Sequence, residues 1–188
     1  CGNWCIQGPL VDFRASTDQG RTWTEPRYRA KSASDNLFGE SAANNSKVKF
    51  GAPHFVDFGR ELQHSPDGMA YIVAHGATDP SSIQAWMQGD EVYLARVQPT
   101  AAAIGDGTQW EFYAGGDRWV RGNVSAARPL LHWKHRMGVV TISYHSALRK
   151  FIMCISTSNI DIAARFFTGS FRQKQAETYQ KLDIIRLH

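Results

Sequence analysis

Long apolar runs are missing from this sequence. No stretch approaches the roughly 18 residues that a membrane-crossing helix needs, so no membrane partner is expected. Cysteine is scarce, with three in 188 residues. Cys1 and Cys5 are candidates for a short-loop disulfide, and Cys154, in the apolar run "FIMCIS", is expected to be a buried thiol. The C-x3-C spacing, with no second pair and no nearby His, is a poor zinc signature, so no metal is expected. Basic runs are missing too. The 21 Lys and Arg are scattered against 17 Asp and Glu, and a net charge of +4 without a basic cluster argues against a nucleic-acid partner. Neither a Gly-x-Ser-x-Gly elbow nor a phosphate loop occurs, and nothing calls for an organic cofactor. The abrupt start at "CGNWC" carries no signal peptide, and reads as a processed end or a fragment of something longer.

Aromatics are plentiful: six Trp, six Tyr and ten Phe. They favour strands, and they also make flat platforms for sugar rings. Two Asn-x-Ser sequons, at Asn44 and Asn123, are compatible with secretion. From residue 8 to about 157 the chain is a succession of short strand-like runs and turn signals. "VKFGAPHFVDFG" and "GMAYIVAHGA" are joined across Pro66-Asp67-Gly68; "DEVYLARVQ" and "QWEFYAG" follow; "MGVVTISYHS" and "KFIMCIST" form a further hairpin. This predicts an all-β domain over 1–157. A β-sandwich and a β-propeller both use such runs, and periodicity alone does not separate them. In the propeller alternative, residues 49–58, 69–76, 90–97 and 109–114 make one blade, residues 8–14 a third strand of the blade before, and 137–144 with 150–156 begin the next. That is about two blades' worth of strands. Residues 158–188, with "FRQKQAETYQKLDIIRLH", lose the turn signals and read as a C-terminal helix.

One octapeptide carries more. In "STDQGRTW", Asp18 and Gly20 suit a tight turn, the carboxylate bonding nearby N–H groups and Gly supplying a positive φ, while Trp23 is free to fold back over the loop. The stretch resembles the Asp box of sialidases and other β-propellers, matching Ser16, Asp18, Gly20, Thr22 and Trp23. In those proteins the box has a structural job, on the face away from the active site. More widely, "CGNWCIQGPLVDFRASTDQGRTW", "KFGAPHFVDFGRELQHSPDGMAYIVAHGA", "GDEVYLARV", "WEFYAGG" and "RMGVVTISYHSALRKFIMCIST" resemble secreted five-bladed propellers once catalogued as a domain of unknown function. Relatives there include glycoside hydrolases such as endo-D-arabinanases. The resemblance implies an extracellular propeller acting on carbohydrate, and it covers residues 1–157.

On that frame one face gathers Trp4, His54, His75, the loop with Asp79, Trp86 and Asp90, and Arg136. Glycoside cleavage needs two carboxyl groups flanking the scissile bond. Asp90 and Asp79 are the candidate acids, with His54 beside them and Asp57 and Glu40 in reserve. Trp86 is the candidate stacking platform, with His75, Arg136 and Trp4 as substrate-binding groups. Each has a plainer role open to it: Asp90 after Gly89 and Asp79 before Pro80 suit turns, and His54 suits a hydrogen-bonded core. His132 and His135 flank "WK" and make a weak metal pair. Three functions compete: a glycosidase, a glycan- or protein-binding fragment without turnover, and a sialidase, which needs several arginines converging on a carboxylate.

Overall fold

The computed structural model describes residues 9–29, 31–32, 34–41, 47–76 and 89–156. The segments holding Trp4, Asp79 and Trp86, and the tail predicted as a helix, lie outside the described residues. Within them the chain is β throughout, apart from one four-residue helix and three single turns of 3₁₀ helix. In chain order the strands are β1 (Gly51–Phe55), β2 (Ala70–Gly76), β3 (Gly89–Val97), β4 (Glu111–Tyr113), β5 (Trp119–Arg121), β6 (Leu131–Met137), β7 (Val140–His145) and β8 (Lys150–Ile155). The short helix α1 is Ala101–Ile104.

The runs read as one antiparallel unit pair in that order: β1 with β2, β2 with β3, β3 with β4, and β5 adds to the β4 edge. The β2–β3 ladder runs without a break from Ala70↔Val97 to Gly76↔Glu91. β2 is buried along its whole length. Its period of two splits the core. Ile72 and Ala74 turn to one face, where Phe50, Tyr93, Trp110 and Phe112 join them. Tyr71 and Val73 turn to the other, with Val92, Leu94, Val140, Ile142 and Met153. A central sheet covered on both faces reads as near-continuous apolar sequence, which "AYIVAHG" does.

The first face is covered by the N-terminal segment. Phe38 stands edge-on to Phe50, Trp110 and Phe112, with ring centroids 5.3, 5.5 and 5.0 Å apart. The Trp110 indole N–H donates to the Ile104 carbonyl at 3.0 Å, so the largest buried ring keeps its polar atom satisfied. The second face is covered by the β7–β8 hairpin, whose register is Val140↔Ile155 to His145↔Lys150. Asp57, just past β1, locks the two sheets together. Its N–H donates to the Ile142 carbonyl and its carbonyl accepts from the Tyr144 N–H, giving a parallel bridge to Ser143.

Two expectations need correcting. Residues 9–14 of the run read as a third strand form no ladder; among the described residues their backbone tie is Leu37 N–H to the Val11 carbonyl at 2.8 Å. Residues 131–137, a strand or a loop on sequence alone, form β6 on the outer edge of β3. Cys154 is exposed, because the alternation that buries Met153 turns its neighbour outward.

The "STDQGRTW" loop closes as its residues demand. Thr24 N–H donates to the Ala15 carbonyl at 2.9 Å, and Asp18 accepts from the Thr22 N–H at 2.9 Å and the Thr22 hydroxyl at 2.7 Å. The Ser16 hydroxyl adds a bond to Asp18 at 2.8 Å and accepts the Gly20 N–H at 2.8 Å. Gly20 has φ +84°, and the Trp23 indole N–H folds back to its carbonyl at 3.0 Å. These bonds, chiefly those from Thr22, hold the Asp18 carboxyl down at about 2.

Candidate functional site

The two ends of the central sheet differ in character. One end, here the loop end, is where residues 77–88 join β2 to β3; the other carries the β1–β2 turn. At the loop end two glycines let three strands close together. A Cβ on Gly89 would stand 2.6 Å from the Met137 carbonyl and 2.9 Å from that of Gly76. On Gly76 it would stand 2.9 Å from the Val48 carbonyl. None of the three distances is tolerable, so the approach of β6 to β3, and of residue 48 to β2, depends on these glycines.

Register then decides which candidates meet. His54 lies opposite Val73, and His75 opposite Val92. Directly opposed residues share a face, as do residues two apart on a strand, so His54, His75 and Asp90 form a diagonal row across β1, β2 and β3. Successive diagonal neighbours in such ladders stand roughly 7–8 Å apart. His54 is half-buried, whereas His75 and Asp90 have no accessible surface. Arg136 lies near the end of β6, beside the same corner, with its guanidinium 5.4 Å from the Trp133 ring centre.

The other face of the same end holds a second polar group. Glu40 is buried and accepts the Lys49 N–H at 2.7 Å and the Phe50 N–H at 3.2 Å. Burial outweighs those bonds and pushes its carboxyl up to about 6. The Lys49 ammonium donates to the carbonyls of Val124, Ser125 and Ala127 at 3.3, 2.8 and 2.9 Å. Burial lowers its pKa, against the opposing pull of Glu40. The Tyr93 hydroxyl donates to Glu91, and burial followed by that bond raises the phenol's pKa. Glu91 in turn lies 3.6 Å from His132. Sequence reading passed over Glu91 and Tyr93. Their signal was their spacing in "DEVY": two apart on a strand, they had to share a face.

A titrating carboxyl near neutrality is what a general acid requires. Glu40, though, has both oxygens engaged by the backbone N–H groups of Lys49 and Phe50 and little exposure, so it ties those two residues down and does not reach out. Asp57 is not at this end. It is exposed beyond β1 and accepts the Gly59 N–H at 2.8 Å, a turn bond. Asp67 sits in the β1–β2 turn, as its Pro-Asp-Gly context implied, accepting the Met69 N–H at 3.0 Å. It also meets the Tyr71 hydroxyl and Arg96, both at 2.9 Å. Arg96 and Arg136 stand at opposite ends of β3, about 20 Å apart at ~3.3 Å of rise per residue, so these two cannot grip one carboxylate. Among the described residues no three His, Cys, Asp or Glu side chains group as a metal site.

No protein-family model matches the chain, and comparison with curated proteins finds no relative.

Proposed function

We propose that this is an extracellular, carbohydrate-active protein of β-propeller type, in which the central sheet and the β7–β8 hairpin belong to neighbouring blades. Its reaction is hydrolysis of glycosidic bonds by a carboxylate pair at the loop end, without a cofactor. The observation that carries the reading is the row His54–His75–Asp90, on one sheet face at the end that residues 77–88 join. Support for neighbouring blades comes from the sequential β1–β2–β3–β4 meander, buried on both faces, and from β7 lying parallel to the extension of β1. The "STDQGRTW" turn precedes a segment whose Thr24, Glu25 and Arg27 line a cleft against α1, and α1 follows the far end of β3, away from this row.

In this reading Asp90 and Asp79 supply the acid pair, His54 tunes their protonation, and Trp86, His75, Arg136 and Trp4 hold the sugar. A separation near 5–5.5 Å gives retention and ~6.5–9.5 Å gives inversion. The test is a panel of oligosaccharides scored for released reducing ends, with Asp90→Asn and Asp79→Asn beside the native chain. Loss of about 10²-fold or more in turnover, with circular dichroism unchanged, is the expected result. Unchanged cleavage in both variants removes this acid pair.

A specific observation favours a second reading, glycan binding without turnover. Asp90 and His75 have no accessible surface, and a group that protonates a leaving oxygen must touch it. Retention of a glycan without product release, unaffected by either Asn variant, selects that reading.

A further inference from the structure

The pairing of β6 with β3 contains an irregularity with a chemical consequence. Glu91 pairs with His132 and Gly89 with Met137, so two steps along β3 (89 to 91) face five along β6 (132 to 137). The surplus residues cannot all enter the ladder, and a bulge of this kind re-aims side chains away from the sheet. They include Trp133, Lys134 and Arg136. Trp133 is 42% exposed, and Lys134 is exposed beside it. The Arg136 guanidinium lies 5.4 Å from the Trp133 ring centre, close enough for cation–π attraction. His132, with a side chain 52% exposed, continues the strip toward Glu91. Among the described residues Glu91 is the carboxylate recorded against His132, and it is also engaged by the Tyr93 hydroxyl.

We infer that the bulged strip Trp133–Lys134–Arg136 is a binding site for anionic polysaccharide, its ring stacking on a sugar face and its cations holding carboxylate or sulfate groups. An indole offers the flat apolar surface that a pyranose or furanose face covers. Arg meets a carboxylate or sulfate with two parallel N–H donors, and Lys adds a point charge. The inference rests on the carbohydrate reading in taking the ligand to be a glycan and in sharing Arg136 with it; it assigns the ligand's charge and extends the contact along β6 to Lys134 and Trp133.

Affinity electrophoresis and calorimetry test it on the full chain, with polygalacturonate as the carboxylate arm, dextran sulfate as the sulfate arm, and dextran and single-stranded DNA as controls. Binding to one or both acidic polymers, weakened by salt, is expected. Arg136→Gln and Trp133→Ala should each weaken it about 5- to 10-fold. Arg60→Gln, an equal loss of charge beyond the opposite end of the sheet, should leave it unchanged. Which acidic polymer binds distinguishes uronate from sulfate. Equal binding of dextran and the acidic polymers, untouched by the strip variants, overturns the inference and leaves the carbohydrate reading standing. Binding of DNA as tight as that of the acidic glycans, and insensitive to Trp133→Ala, overturns it too, since the strip is then only a patch of charge. Binding of no glycan at all defeats both readings.

Discussion

The central sheet ends in two different ways. At the β1–β2 turn, charge is closed on itself. Arg96 donates from Nε to Glu111 at 2.8 Å and from Nη1 to Asp67 at 2.9 Å, while Arg121 takes the other Glu111 oxygen at 3.0 Å. The Arg96 guanidinium also lies 4.1 Å from the Trp119 ring. Burial works to raise the Glu111 pKa, yet the hydrogen bonds from Arg96 and Arg121 outweigh it and hold the carboxyl below its ordinary range. At the loop end the balance runs the other way. Glu40 is raised by burial, Asp90 is fully buried, and Lys134 and Trp133 face solvent. One end spends its charges on holding strands together; the other keeps polar groups in costly or exposed positions. Functional sites are where such arrangements concentrate, because stability alone does not favour them.

The sharpest way to break the comparison is to remove one positive charge from each end. Arg96→Met keeps the stem packing but removes the donor that Asp67 and Glu111 share, leaving Asp67 to the Tyr71 hydroxyl and the Met69 N–H and Glu111 to Arg121. A loss of about 1–2 kcal/mol is expected, because two charge-assisted hydrogen bonds go while each carboxylate keeps a partner. Lys134→Gln should change stability by less than about 0.5 kcal/mol. Urea denaturation of both variants measures the difference. Equal effects mean that the two ends are not distinct in the way described.

How far this contrast was readable in the sequence follows from the period of each signal. The β1–β2 and β7–β8 hairpins were legible because alternation of two and explicit turn residues fix both strand and register; Pro66-Asp67-Gly68 placed Asp67 in its turn. On sequence His54, His75 and Asp90 were gathered only through the propeller resemblance; that they share one sheet face comes from the register. The burial of His75 and Asp90 was not legible, because a His or Asp in an apolar strand looks alike whether its face is covered or open, and the β7–β8 hairpin on that face is distant in sequence. β6 was legible only as a strand or a loop: "LHWKHRM" has no clean alternation, and its place in the sheet comes from pairing with the edge of β3. Cys154 shows the limit of composition. Its neighbours are apolar, but strand parity decides which of them is inside, and Met153 is.

A smaller effect sharpens the contrast by pH. The Glu40 carboxyl, at about 6 in the fold against an ordinary 4.5, binds its proton more tightly folded than unfolded. Its ionised form therefore costs stability: the cost is full above about pH 6 and is relieved as pH falls toward 4.5, about 2 kcal/mol in all. Glu40→Gln removes that slope. At pH 7 the variant loses one of two N–H acceptors but also the buried charge, so a net change under about 1 kcal/mol is expected. Thermal melts of both proteins from pH 4 to 7 read the difference directly. Parallel curves refute the assignment of a strained carboxylate to the loop end.

The least effect belongs to the "STDQGRTW" turn, whose bonds are local and exposed. Asp18 titrates in the opposite sense from Glu40. Its carboxyl, at about 2 against an ordinary 3.8, contributes stability that is fully present above about pH 4 and is lost as pH falls through 2. Asp18→Asn keeps an acceptor for the Thr22 N–H but gives up the charge that strengthens the bond from the Thr22 hydroxyl, so it should lower the melting temperature less than Arg96→Met does. Thr22→Val, which deletes only the hydroxyl donor, should do less again. Both variants should leave the proposed glycan binding at the loop end untouched, because among the described residues the hydrogen bonds of the Asp18 carboxylate stay within residues 16–22. If Asp18→Asn abolishes binding instead, the turn is coupled to the loop end, and the separation between a self-satisfied end and a ligand-facing end fails at its simplest point.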